Sequence, residues 1–150
     1  MASGYGLAMV STIAVGLDGS KTAGKAVEMA VEVARRFDAK VVLLSAVRDS
    51  TATSAEQAVD TVELDWASEP SASVRQVLES TEARLRASGL DCRTLVDEGD
   101  PGDVLVRLAQ ECGADLLVVG SKGMQRRVLG SVPNTVTHKA GCAVLVVKTT

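Results

Sequence analysis

Apolar residues return along this chain in two alternating rhythms. Unbroken runs (Ile13-Ala14-Val15, Val41-Val42-Leu43-Leu44, Leu116-Leu117-Val118-Val119, Ala143-Val144-Leu145-Val146-Val147) are separated by stretches with an apolar residue every three or four positions. The runs read as strands buried on both faces, the periodic stretches as amphipathic helices. The first strand spans Val10 to Leu17 and stops at Asp18-Gly19-Ser20, where Ser20 is a helix N-cap. The helix after it turns Ala23, Ala26, Val27, Ala30, Ala34 and Phe37 inward and Lys25, Glu28, Glu32 and Arg36 outward. A second strand begins at Val41 and continues to about Val47. After Pro70 a helix carries Val74, Val77, Leu78, Thr81 and Leu85 on one face and ends near Gly89. Cys92 to Val96 is a short strand whose Arg93 and Thr94 suit a sheet edge. Asp97-Glu98-Gly99-Asp100-Pro101 is a turn and helix start: Asp100 caps, and Pro101 sits where its missing N–H costs nothing. Val104, Leu105, Leu108 and Cys112 line that helix, and Gly113 ends it. Ser131 caps a last helix with Pro133 in its first turn, and Ala143 to Val147 closes the chain.

Strands and helices therefore alternate, which predicts an α/β fold: a single doubly wound five-stranded parallel sheet, helices on both faces, right-handed crossovers. With 150 residues the chain reads as one domain, 1–150, with a frayed tail over 1–9 and an acidic loop over 48–70. That loop holds six carboxylates between Asp49 and Glu69, no Lys or Arg, and the single tryptophan, Trp66, with a short helix near Ala55 to Val62. Its length marks it as a solvated connection or as a lid that folds Trp66 over a ligand. The closing strand is apolar throughout, and an uncovered apolar edge invites pairing. The same strand of a second copy covers it most simply, so a two-fold homodimer through Ala143–Val147 is expected.

Composition narrows the function. Aromatics are only 2% of residues, so the core is aliphatic, and the net charge of −3 argues against nucleic-acid binding. Cys92, Cys112 and Cys142 form no CxxC, and His138 is the only histidine, which excludes a structural zinc site. Buried, reduced thiols in a cytoplasmic protein fit better. No apolar run approaches membrane-spanning length, and the N-terminus lacks the regions of a signal peptide.

The chemistry-bearing stretch is Leu116 to Val132. A buried strand leads into Gly120-Ser121-Lys122-Gly123, and Gly130-Ser131-Val132 opens a helix, so free N–H groups and a positive helix end converge on an anion-sized space. Neither GxxxxGK[ST] nor GxGxxG after the first strand is present. Taken in order, "GLDGS", "VVLLSAV", "EGDP", "ADLLVVGSKGM" and "LGSVPNTVTHKAGCAVLVV" resemble the universal stress protein family from Ser11 to Lys148.

The resemblance implies the strand order 3-2-1-4-5, a dimer through the last strand, and an ATP site between the first and fourth strands, where the order reverses. It is at such reversals that open α/β sheets take ligands. Position by position, the resemblance sets Gly16, Leu17 and Asp18 beside the adenine, with Ala46 and Val47 closing over it. Gly120 and Gly123 lie at the ribose and phosphates, and Gly130, Ser131 and Val132 at the phosphates. Arg126 and Arg127 carry guanidinium groups suited to phosphate. One departure stands out. ATP-binding members resemble this chain but have nine residues between the second and third glycines; here six, Met124 to Leu129, separate Gly123 from Gly130. The span is shorter by about 10 Å of extended chain.

Each of these residues also has a purely structural use. Asp18 can hold the turn before the first helix, the glycines can serve backbone geometry, Ser131 can be an N-cap only, and Lys122, Arg126 and Arg127 can be solvated loop charges. His138 is expected on the surface of the last helix. No catalytic triad, paired carboxylates or metal constellation is evident. The sequence thus favours a homodimeric stress-response sensor of an adenine nucleotide, ATP or a smaller relative, with Mg2+ as a possible companion. The alternative is a dimeric interaction module whose shortened loop closes the pocket. A third reading, weak ATP hydrolysis, needs a metal ligand and a placed water, and Asp18 is the nearest carboxylate.

Overall fold

The computed structural model describes residues 10–17, 23–47, 71–121 and 131–148. In chain order the elements are β1 (Thr12–Gly16), α1 (Ala23–Phe37), β2 (Lys40–Val47), α2 (Ser71–Ala87), β3 (Cys92–Glu98), α3 (Pro101–Glu111), β4 (Leu116–Gly120), α4 (Ser131–Lys139) and β5 (Ala143–Val147). The strands form one parallel sheet in the order β3-β2-β1-β4-β5. The resemblance implied that order, and the hydrophobic runs gave the strands. The short helix expected near Ala55 to Val62, Trp66 and the tail at 1–9 lie outside the described residues.

Strand alternation divides the core into two layers. On one face Ile13, Val15, Val41, Leu43 and Val118 pack against Ala26, Val27, Ala30 and Ala34 of α1 and Val74, Leu78 and Leu85 of α2. On the other, Ala14, Val42, Leu44, Leu117 and Val119 meet Val104, Leu105 and Leu108 of α3 and Val132 and Val136 of α4. No aromatic side chain is among these buried residues.

Phe37, expected inside, is 53% exposed. The helical period does carry it inward from Ala34, but α1 ends there. Asp38 takes a left-handed φ of 55°, the Ala39 N–H closes on the Ala34 carbonyl at 2.9 Å, and Ala39 fills the core instead. The first strand is also shorter than Val10–Leu17, and the third is longer than Cys92–Val96. Asp97 and Glu98, expected in a turn, continue β3 opposite Ala46 and Val47. Two contacts hold them there: Arg107 donates to the Asp97 carboxylate at 2.7 Å, and the Glu98 N–H donates to Asp97 Oδ1 at 2.8 Å.

Two local devices set the frame. At the start of the central pair, Asp115 Oδ2 accepts from Ser11 N–H (2.9 Å), Ser11 Oγ (3.1 Å) and Thr12 N–H (3.1 Å), while the Asp115 N–H donates to the Thr12 carbonyl (2.8 Å). These bonds, the one from the Ser11 N–H foremost, hold the Asp115 carboxyl below its ordinary pKa. At α3, Asp100 caps as expected, accepting from the Asp103 N–H at 3.2 Å, with Pro101 in the first helical position. Gly102, the next residue, lets α4 come so close that an added Cβ would lie 2.6 Å from Thr135 Cβ. Lys139 Nζ reaches Asp103 across the same helix pair at 3.0 Å.

Candidate functional site at the strand reversal

The reversal of strand order falls between β1 and β4, and there the sheet's pairing is shortest. β1 registers with β2 over five pairs and β4 with β5 over five, whereas β1 and β4 register over three, from Ile13–Leu116 to Val15–Val118. Beyond Val15 and Val118 the bonding continues outward. The Leu17 N–H donates to the Leu44 carbonyl of β2, and the Ser121 N–H donates to the Val147 carbonyl of β5, each at 2.8 Å. The two halves of the sheet thus turn toward their outer neighbours at the carboxyl ends of the central strands, which is where an open α/β sheet of this order forms its crevice.

The sequence-predicted residues distribute around it as follows. Gly16 ends β1 and is buried; Leu17 sends its side chain into the α1 layer, leaving its backbone beside the crevice. The Leu44 carbonyl faces β1, so Ala46, two residues on, turns its own N–H and C=O the same way, beyond that bond. Val47 alternates away: its carbonyl accepts from the Gly99 N–H at 3.1 Å on the β3 side. Ala46 rather than Val47 therefore offers main-chain groups to the crevice. Gly120 is half-buried at the end of β4, paired with Val147. Ser121, which sequence reasoning did not single out, is fully buried next to it. Asp18, Gly123, Arg126, Arg127 and Gly130 lie outside the described residues.

Ser131 was expected to precede the last helix as its cap; it is instead the first residue of α4, exposed, followed by buried Val132. The first N–H groups of a helix have no partner within it. Pro133 removes one of them, which leaves those of Ser131 and Val132 at the helix tip, with the positive end of the peptide dipoles behind them.

The thiols are elsewhere. Cys92 is buried in the α2 layer, and burial is the main reason its pKa is raised to about 11. Cys112 and Cys142, expected buried, are half-buried at the ends of α3 and β5, where desolvation still raises both. All three are free. His138 lies exposed on α4 with Nδ1 2.8 Å from the Asn134 carbonyl oxygen. Among the described residues no group of three or more His, Cys, Asp or Glu is placed to hold a metal ion. None of the helices there is long and apolar enough to cross a membrane.

Comparison with known proteins agrees with this architecture. A profile of the universal stress protein family matches residues 9–148. A universal stress protein of Mycobacterium tuberculosis is 36% identical over 147 residues, covering 93% of this chain and 97% of that protein. A crystal structure of a universal stress protein in complex with cAMP is similar with a TM-score of 0.71 and 32% identity, over 94% of this chain and 98% of that one. An Arabidopsis thaliana family member with AMP bound is similar with a TM-score of 0.68 and 26% identity, over 93% and 92%.

Proposed function

The chain belongs to the universal stress protein family, and on that premise we propose that it binds an adenine nucleotide in the crevice between β1 and β4 and acts as a homodimeric sensor. The observation that carries the reading is the early end of the β1–β4 register, with the Ala46 main chain on one side and the α4 tip on the other. Adenine offers an exocyclic N–H donor beside a ring-nitrogen acceptor; the Ala46 carbonyl and N–H complement that pair. The phosphate goes to the N–H groups of Ser131 and Val132, with Gly130 beside them. Gly16, Leu17 and Asp18 flank the base, Gly120 and Gly123 lie at the ribose and phosphates, and Arg126 and Arg127 supply the remaining phosphate contacts. The similar structures that hold cAMP and AMP support an adenine nucleotide.

The six-residue span from Met124 to Leu129 favours ligands with one phosphate over ATP with Mg2+. Binding of a small ligand is the role this reading assigns, and among the described residues no group of three or more His, Cys, Asp or Glu is placed to hold a metal ion for chemistry on it. The test is calorimetric titration of the purified protein with ATP, ADP and cyclic AMP, with and without magnesium. Saturable binding to at least one of them, lost in Gly123→Val, is expected. Dissociation constants weaker than about 1 mM for all three, a binding energy under about 4 kcal/mol, would leave the protein a dimeric interaction module instead.

A further inference from the structure

The sheet has a second edge, β3, and most of its outward backbone is unpaired among the described residues. The Val41 N–H bonds the Asp91 carbonyl, and the Gly99 N–H bonds the Val47 carbonyl, so odd-numbered residues from Asp91 to Gly99 face β2. Cys92, Thr94, Val96 and Glu98 therefore turn their main-chain groups outward. Side chains take up one group at each end of that row. Arg86 Nε donates to the Cys92 carbonyl at 2.8 Å, and the Glu98 N–H goes to Asp97. Between them the N–H and C=O groups of Thr94 and Val96 meet no partner among the described residues. Two donors and two acceptors, spaced for one more strand, remain.

Beside this open stretch lies a groove of about 410 Å³ between α2 and β3, walled by Leu78, Glu79, Glu82, Ala83, Thr94 and Val96. Its floor is apolar at Val96, which is 47% exposed, one of three large apolar side chains so exposed among the described residues. Its α2 wall carries charge in the order Arg75, Glu79, Glu82, Arg86. Glu82 is already engaged by Arg86 at 3.1 Å and by the Thr94 hydroxyl. Glu79 makes no ion pair among the described residues.

We propose that this groove docks an extended segment of another protein, which adds as a strand to the Thr94–Val96 edge and places an apolar side chain on Val96 and a basic one against Glu79. An edge strand beside a helix is a general solution to peptide recognition: main-chain bonds give affinity, and alternate side chains in the groove give selectivity. The charge order speaks against a second copy of this chain in the same place. Two-fold antiparallel addition centred on Leu95 would set Glu79 against Glu82 and Arg75 against Arg86, like against like.

The probe is the fluorescein-labelled hexapeptide Thr-Val-Thr-Lys-Thr-Val, acetylated and amidated, which carries valine and lysine on one face. Titrated with the full-length protein, it should give saturable anisotropy, with backbone amide shifts at Thr94 and Val96 in nitrogen–proton spectra. Val96→Pro removes an outward N–H and no β2 bond, and should weaken binding at least 10-fold. Glu79→Lys, on the exposed face of α2, keeps the fold and tests the same site independently. It should weaken this peptide and strengthen one with Glu in place of Lys. No saturation below about 1 mM, shifts confined to Val144 and Val146 of β5, or unchanged affinity in Glu79→Lys would overturn the proposal. So would self-association that Val96→Pro abolishes, because the occupant would then be a second copy.

Discussion

Gly102→Ala tests how tightly the crevice is framed. The added Cβ would sit 2.6 Å from Thr135 Cβ, 2.7 Å from Cγ2 and 3.2 Å from Oγ1. Carbon atoms rest at about 3.5–4.0 Å, so α3 and α4 must part by about 1 Å. Overpacking of that kind costs about 1–3 kcal/mol. Alanine's better helix propensity returns less than about 1 kcal/mol, because Gly102 is in the first turn, two residues from the Asp100 cap. The net loss is about 1–2 kcal/mol, a fall in Tm of about 2–8 °C for a chain of this length. Calorimetry or far-ultraviolet circular dichroism reads it directly. In a Thr135→Gly background the clash is gone, and the same alanine should be neutral or stabilising. The difference between the two backgrounds should reach about 1 kcal/mol. If Gly102→Ala leaves Tm unchanged or higher in the native background, the helix contact is looser than described, and the α4 tip is not held by it. If the contact is as tight as described, the same variant should also weaken nucleotide binding, because Ser131 and Val132 move with α4.

Asp115→Ala should cost about 1–3 kcal/mol, since the N–H groups of Ser11 and Thr12 lose a charged acceptor. The Asp115 pKa is lowered in the fold, so its contribution is complete above the ordinary carboxyl value of about 4 and fades as pH falls through the folded one. Denaturant titrations of both proteins from pH 7 downward should therefore converge below about pH 4; a constant gap would refute the assignment. At the β5 edge, the Val147 carbonyl faces β4, which turns the main-chain groups of Val144 and Val146 outward. Val146→Pro should convert a dimer of twice 15.5 kDa into monomer without loss of secondary structure, read by sedimentation. A wild-type protein that is already monomeric at micromolar concentration would refute the dimer.

What the sequence disclosed follows from range. The strand runs and the α1, α2 and α3 stripes are local patterns, and they located the elements to within a few residues. Phe37 was misplaced because periodicity does not say where a helix stops, and β3 was cut short because Asp97 and Glu98 look like turn residues until Arg107 pairs with Asp97 and the Glu98 N–H bonds the same carboxylate. The Asp115 clamp joins residues 104 and 103 positions away, and no pattern near Ser11 announces it. The same holds for Ser45, a hydroxyl fully buried in β2 without a hydrogen-bond partner among the described residues, which reads as an ordinary strand residue. At the candidate site, the motifs named the ends of β1, β2 and β4. That Ala46 rather than Val47 faces it depends on register, which only the paired strands decide.

The absence of aromatic side chains from the described interior has a practical consequence for anyone measuring these effects. With Phe37 at the surface, none of the described buried side chains absorbs or emits in the near ultraviolet. Loss of the described core, which holds no aromatic side chain, will by itself leave that region of the spectrum nearly silent. A melt followed by fluorescence and one followed at the peptide bands are then two different experiments, and agreement between them cannot be assumed as a sign of two-state unfolding.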